Sequence, residues 1–220
     1  MSSDEQRQVL IKSAYQLAEE ITQLNAIEQS IRSMAFSQLG RILITHQDYN
    51  GAEKALQNAI TLLMSTPPQK SLSIPIWITL AELNILQKKY KAAEKCFKYS
   101  MKLSQQNGSF NFLILMKLGR LAWISGNQEL GMESTQEAIV LNPNSASARW
   151  LQGLFHLQGG NAAKAIKSFQ NAKSLEESLF VNLGLFKGYV NKGDKNNSKT
   201  ALARELELQP NSKIVKELNK

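Results

Sequence analysis

The 220-residue sequence predicts an all-α fold in which a pair of helices repeats along the chain. Small residues recur at one position of the unit, namely Gly40, Ala81, Gly119 and Gly153. A second series of small residues follows twelve positions later, at Ala52, Ala93, Gly131 and Ala165. Both series have the same gaps of 41, 38 and 34 residues. The spacing of two independent positions therefore changes in the same way along the chain, which indicates a true repeat.

The chain before the first repeat predicts a single helix. Leu10, Ala14, Leu17, Ile21 and Leu24 recur at helical spacing, and none of the repeat positions is present. We therefore interpret residues 1–26 as an N-terminal capping helix or a degenerate unit.

Five repeats are predicted to follow, and we expect them to form one domain over residues 1–220. Their approximate ranges are 27–66, 74–107, 112–144, 146–177 and 179–210. Residues 48–51 predict the turn between the helices of the first repeat, because Asp, Asn and Gly favour turns. Residues 211–220 predict a polar C-terminal cap, which helical arrays need for solubility.

The most regular unit spans residues 148–178 and identifies the type of repeat. It combines Gly153, the turn Gly159-Gly160, and the pattern A-x-x-x-F-x-x-A formed by Ala165, Phe169 and Ala172. This pattern resembles the tetratricopeptide repeat, and the resemblance covers residues 33–210. The resemblance implies a right-handed α-solenoid of about five helical hairpins with capping helices at both ends.

The same resemblance implies that the first helix of each hairpin lines a concave groove that binds partners. The positions carried over to this groove are Arg41, Glu82, Met116, Arg120, Trp123, Trp150, Leu154 and Lys187. Aromatic residues, Met and Arg are typical of binding surfaces. The expected function is a scaffold or adaptor that binds a peptide or helix of another protein, an apolar segment carrying an acidic residue. The alternative for Trp123 and Trp150 is packing between adjacent repeats.

A basic stripe supports a second interpretation. Residues 66–125 hold nine Lys or Arg against two Asp or Glu, and the lysines fall mainly on one helix. The stripe consists of Lys88, Lys89, Lys91, Lys95, Lys98 and Lys102. Spacings of four, three and four place the last four on one face, predicted to be convex. The stripe is a solvated surface, or it binds nucleic acid or an acidic protein. A self-assembling scaffold, in which one copy's N-terminal helix fills another's groove, is a further alternative.

The sequence contains no recognisable catalytic, metal or cofactor constellation. His46 and His156 are the only histidines and belong to different repeats, and Cys96 is the only cysteine. We therefore expect neither an enzyme nor a cofactor. Apolar runs are too short to cross a membrane, and the polar N-terminus is unlike a signal peptide. The expected location is the cytoplasm, with a removed signal sequence as the open alternative.

Overall fold

The computed structural model describes residues 8–9, 11–17, 20, 29–64, 67–104, 110–177 and 180–210. Over these ranges the chain forms helices and turns without a strand, which confirms the predicted all-α helical repeat. Two compact units are present, Met1–Ile114 (unit 1) and Leu115–Lys220 (unit 2). The predicted C-terminal cap lies outside the described residues, as does most of the N-terminal cap, of which residues 11–17 are helical.

Unit 1 holds two hairpins within its described ranges. The first pairs α1 (Gln29–Thr45) with α2 (Tyr49–Met64), and the second pairs α3 (Ile74–Leu86) with α4 (Tyr90–Ser104). A 3-10 helix, Pro67–Ser73, connects the two hairpins. This extra helix accounts for the longest gap of the repeat, 41 residues.

Unit 2 holds three hairpins in the part of the chain that the structure describes. They are formed by α5 (Asn111–Ser125) with α6 (Gln128–Leu141), α7 (Ala146–Gln158) with α8 (Ala162–Leu175), and α9 (Val181–Lys192) with α10 (Lys195–Leu208). The boundary between the units falls within α5. Short connections separate these hairpins, consistent with the 34-residue gap between Gly119 and Gly153.

The turns inside the hairpins repeat the same backbone geometry. One residue in each has a left-handed φ between 59° and 78°, and these residues are Gln47, Lys88, Gly126, Gly160 and Gly193. The next residue donates its N–H to the carbonyl five residues earlier at 2.8–2.9 Å in all five turns. This bond satisfies a carbonyl that the end of the first helix would otherwise leave unpaired.

Most of the second helices start with a side-chain cap. The carboxylate or amide oxygens of Asp48, Asn127, Asn161 and Asp194 each accept a backbone N–H three residues later, at 3.0–3.2 Å. In the remaining turn, which precedes α4, Lys89 occupies this position and its side chain has no oxygen to accept a hydrogen bond. The repeated element is therefore a left-handed residue followed by an Asp or Asn cap.

The predicted turn at residues 48–51 is wrong by several residues. α2 begins at Tyr49, so Gly51 lies in the first helical turn and is buried. The hydroxyl of Tyr15 and the carboxylate of Asp48 lie where a Cβ on Gly51 would stand. Gly51 therefore permits the close approach of Tyr15, while Asp48 caps α2 and the turn itself lies at residues 46–47.

Glycines and aromatic rings interlock in unit 2. A Cβ added to Gly153 would lie 2.6 Å from the ring of Phe169, and one added to Gly184 would lie 2.7 Å from the same ring. The ring of Phe155 similarly fills the space beside Gly131. Gly153 thus lies at a close helix crossing, as the repeat pattern predicts. Around Phe169 the buried core contains Ala165, Ile166, Leu185 and Ala201.

Candidate functional site

The first helices of unit 2 differ in charge from the rest of that unit. α5, α7 and α9 contain basic residues and no acidic residue at all. The basic residues are Lys117, Arg120, Arg149, Lys187 and Lys192. The acidic residues described in unit 2 belong to the second helices and the turns. The first helices of unit 2 themselves therefore contribute positive charge and no negative charge.

Two of these cations, Arg120 and Lys187, were predicted to lie in the groove, and both are exposed. Arg149 has a different role, since its guanidinium donates two hydrogen bonds to the Pro143 carbonyl at 3.0 and 3.1 Å. Those bonds hold the turn before α7. Among the first helices of unit 2, Arg120 is consequently the guanidinium that is better placed to bind a carboxylate.

The apolar residues predicted for the groove are partly buried. Met116 of α5 and Leu154 of α7 are half-buried, and Leu154 packs against the Phe169 core. Both side chains therefore keep only part of their surface exposed.

The two tryptophans of unit 2 pack between hairpins, as the alternative interpretation proposed. Trp123 makes an edge-to-face contact with Phe155, with ring centroids 5.8 Å apart and planes at 78°. Trp150 packs against the Phe169 core, and its indole N–H donates to the Phe180 carbonyl at 3.3 Å. Trp123 still exposes 41% of its surface, and Trp150 is half-buried. Packing and exposure therefore coexist in both residues.

The remaining groove positions, Arg41 and Glu82, lie in unit 1. Arg41 is on α1 and Glu82 on α3, and both are exposed. Unit 1 also contains an apolar cavity of about 330 Å³ that the sequence reasoning missed. Residues 11–17 and α1 form it, with Leu17, Ile31, Met34 and Ile42 among the lining residues.

The basic stripe lies on the solvent face of α4 and the turn before it. All six lysines are exposed, whereas Ala93, Cys96 and Phe97 of α4 are buried. Lys89 forms an ion pair with Glu53 at 3.4 Å, and Lys98 forms one with Glu94 at 2.7 Å. Exposed pairs of this kind contribute little to stability. A role of the stripe in binding stays a prediction.

The two side chains with the greatest intrinsic reactivity, Cys96 and His156, have perturbed pKa values. Burial, with a smaller contribution from Glu53, raises the pKa of the Cys96 thiol to about 11. The thiol therefore stays protonated at neutral pH and is a poor nucleophile. Burial also lowers the pKa of His156, and nearby Lys164 lowers it further. Among the described residues no cluster of His, Cys, Asp or Glu is arranged to hold a metal ion.

The turn between α8 and α9 contains contacts that the sequence pattern did not reveal. Arg204 of α10 donates to both carboxylate oxygens of Glu177, at 3.1 and 2.9 Å. The next residue, Glu205, accepts the backbone N–H of Phe180 at 3.1 Å. These contacts join residues 25 or more positions apart. The sequence gives one local indication of this difference: Phe180 precedes α9, whereas Ser145, which can cap a helix, occupies the equivalent position before α7.

Comparisons with known proteins agree on the fold. The sequence matches no protein-family model and no curated protein. Among solved structures it is similar to BtubC (BKLC) from P. vanneervenii, with a TM-score of 0.78 and 16% identity over 96% of this chain and 92% of that one. A tetratricopeptide repeat protein from Parabacteroides merdae gives a TM-score of 0.72 and 19% identity over 84% of this chain and 70% of that one.

A third solved structure is YrrB, which is described as a TPR protein with an unusual peptide-binding site. Its TM-score is 0.64, with 16% identity over 85% of this chain and 91% of that one. None of the helices in the described ranges is both long and apolar enough to cross a membrane. The repeated hairpins, the glycine–aromatic crossings and these structural likenesses together show that the chain has the fold of tetratricopeptide-repeat proteins.

Proposed function

We propose that this protein is a non-enzymatic interaction scaffold that binds a segment of another protein along the first helices of unit 2. The segment is largely apolar and carries at least one acidic residue. The observation that carries the proposal is the composition of α5, α7 and α9, which combine accessible Trp and Met side chains with basic residues and no acidic residue. A peptide-binding site in YrrB, a protein of the same fold, supports this use of the fold.

Arg120 and Trp123 have complementary roles in the proposed site. The exposed guanidinium of Arg120 can bind a carboxylate through two parallel hydrogen bonds, which orients the ligand. The exposed part of Trp123 offers apolar contact area, and its contact with Phe155 holds the ring in place before binding. Such a pre-ordered ring loses little conformational entropy when a ligand binds.

Peptide selection with the full chain tests the proposal and needs no candidate partner. The immobilised protein is exposed to a phage-displayed library of random peptides, and the enriched sequences are read. We expect apolar residues together with at least one Asp or Glu. Enriched peptides that are basic, or that lack acidic residues, would contradict the proposed chemistry.

Point variants then locate the site, using fluorescence anisotropy with the tightest selected peptide. Arg120→Gln removes the charge and Trp123→Ala removes the ring, and each should weaken binding by about tenfold or more, the range of interface hot spots. The matched control is Lys167→Gln, an exposed position on the second helix α8. Equal affinity in wild type and Arg120→Gln would exclude Arg120 from the site.

The exposure of all six stripe lysines favours one alternative, binding of nucleic acid through α4. Contacts with phosphates release counterions, so such binding weakens steeply as salt rises. A labelled single-stranded oligonucleotide titrated at several salt concentrations distinguishes the two functions. We expect no binding at about 0.15 M salt, near physiological ionic strength, under conditions where the selected peptide still binds.

A further inference from the structure

Phe180 has a backbone conformation that the repeat does not explain. Its φ is 74° and its ψ is −6°, which is left-handed and unfavourable for a bulky side chain. The other five described residues with similar φ values are the regular turn residues inside the hairpins. Phe180 instead precedes α9, where it provides no side-chain cap. Ser145, the residue before α7, has an extended backbone and caps its helix in the ordinary way.

Glu205 of α10 holds Phe180 in this conformation. The Glu205 side chain is fully buried, and its Oε1 accepts the Phe180 N–H at 3.1 Å and the Gln209 side-chain amide at 2.9 Å. Its Oε2 is also buried and accepts no hydrogen bond within the described residues. Burying a carboxylate with one oxygen unused is unfavourable. The hydrogen bond from the Phe180 N–H offsets part of this unfavourable burial.

The other end of the same turn is held by the neighbouring residue. Arg204 binds both oxygens of Glu177, while Lys173 donates to Oε1 of that carboxylate at 3.0 Å. The buried Asn182 donates to the same oxygen at 3.2 Å. Two adjacent residues of α10, Arg204 and Glu205, therefore clamp both ends of the α8–α9 turn.

A hydrogen bond to Trp150 connects this turn to the candidate site. The Phe180 carbonyl accepts the indole N–H of Trp150, so the backbone angles of Phe180 set the position of the oxygen that holds this ring. Phe180 keeps 44% of its surface exposed, so part of its ring can contact a ligand. Gly or Asn would satisfy the same backbone more easily. An unfavourable conformation that presents an aromatic ring points to a use for that ring.

We propose that Phe180 binds the ligand at the edge of the first-helix site, and that Glu205 is the positioning residue that sets Phe180 and Trp150. This inference rests on the proposed function, because the occupant is the same apolar, acidic segment of a partner protein. The positive first helices bind its carboxylate, and the Phe180 ring contacts one of its apolar side chains. Glu205, being buried, acts only through the Phe180 backbone.

Phe180→Gly separates binding from stability. Glycine adopts the left-handed conformation without strain and keeps the N–H and the carbonyl, so the melting temperature should be unchanged or higher. Loss of the ring should weaken the selected peptide at least about fivefold, well above the effect of an ordinary surface change. Leu175→Ala, at another exposed apolar residue near this turn, is the matched control. A Phe180→Gly protein that binds as tightly as wild type would overturn the binding role.

The positioning role has its own readout, the indole N–H resonance of Trp150 in a ¹H–¹⁵N spectrum. Glu205→Leu removes the acceptor and should shift this resonance while that of Trp77, in unit 1, stays in place. Glu205→Gln keeps an acceptor oxygen and should restore the wild-type position. If the Leu variant does not fold, amide hydrogen exchange in the wild-type protein tests the contact instead. The Phe180 amide should then exchange slowly, because it donates to the buried Glu205 carboxylate. An unprotected Phe180 amide, or a Gln variant shifted as far as the Leu variant, would overturn the link.

The two proposals fail in distinguishable ways. If Arg120→Gln weakens the selected peptide and Phe180→Gly does not, the first-helix site stands and the role of Phe180 is wrong. If no peptide is enriched, the proposed function and the binding role of Phe180 both fail. The spectra of the Glu205 variants still decide whether Glu205 sets the Trp150 ring.

Discussion

Phe169 of α8 lies between Gly153 of α7 and Gly184 of α9, so each of the two helix contacts depends on the absence of a Cβ at its own glycine. Each contact brings a helix close enough that any larger residue must displace the ring. The surrounding residues are fully or nearly buried and cannot easily move aside. The stability of unit 2 should therefore be sensitive to these two glycines.

Gly153→Leu should lower the free energy of unfolding by about 1–3 kcal/mol, the usual cost of overpacking a close contact. Chemical denaturation followed by circular dichroism measures the change. Gln158→Leu, at an exposed position of the same helix, is the control and should leave the midpoint nearly unchanged. A Gly153→Leu protein with wild-type stability would show that the Phe169 contact is not formed.

Glu177 gives unit 2 a predictable dependence on pH. Hydrogen bonds from Arg204, then Lys173 and Asn182, hold the pKa of this carboxyl well below its usual range. A carboxyl with a depressed folded-state pKa stabilises the fold above the unfolded value, about 4.3. That contribution is lost as the pH falls below this value.

Glu177→Gln should consequently be less stable than wild type at pH 7, and the difference should shrink as the pH falls below about 4.3. Melting temperatures of both proteins between pH 7 and pH 3 provide the test. Glu176→Gln, the exposed neighbour, serves as the control. A difference between the two proteins that stays constant with pH would exclude an ionic role for Glu177.

At the scale of elements, the turn inside each hairpin is the most regular feature of the chain. Four of the five turns end in an Asp or Asn cap, and three have glycine at the left-handed position. The turn before α4 has Lys88 and Lys89 at these two positions, so it lacks both advantages. This turn is the weakest member of the series.

Lys88→Gly combined with Lys89→Asn should therefore raise the free energy of unfolding by about 1 kcal/mol. The gain combines relief of the left-handed backbone with a new helix cap. The reverse pair, Gly160→Lys with Asn161→Lys in unit 2, should destabilise by a comparable amount. Equal stability of the Lys88→Gly, Lys89→Asn protein and wild type would mean that turn geometry contributes little here.

The basic stripe leads to a second prediction at this scale. Changing Lys91, Lys95, Lys98 and Lys102 to Glu should leave the protein folded, because exposed positions usually shift stability by about 0.5 kcal/mol or less each. It should also leave affinity for the selected peptide unchanged, since the proposed site lies in unit 2. An unfolded variant would show that this face of α4 is buried, contrary to its exposure in the structure.

At the scale of the whole molecule, periodic features were predictable and isolated contacts were not. Two series of small residues with equal gaps predicted the repeat, because each helix crossing needs a small residue at the same offset. Composition, by contrast, misplaced the first turn, since Gly51 lies in α2 and permits a contact with Tyr15. Turn composition alone could not distinguish the two uses of glycine.

The candidate site was predictable only in part. The offsets placed Arg120 and Trp123 on an exposed face, but they did not show that Trp150 packs against the Phe169 core. The Phe180–Glu205 contact could not be predicted, because it depends on residues 25 positions apart and on one backbone angle. The expectation of a single domain over residues 1–220 stays a prediction, which the cooperativity of unfolding tests.

The central claim is that ligands bind to the first helices of unit 2, and the three tryptophans test it most directly. Trp123 and Trp150 belong to those helices, while Trp77 lies in unit 1 with its ring 4.8 Å from Tyr99. In a ¹H–¹⁵N titration with the selected peptide, the indole resonances of Trp123 and Trp150 should shift and that of Trp77 should stay in place. A shift confined to Trp77, or saturation by peptide with no indole shift, would contradict the account.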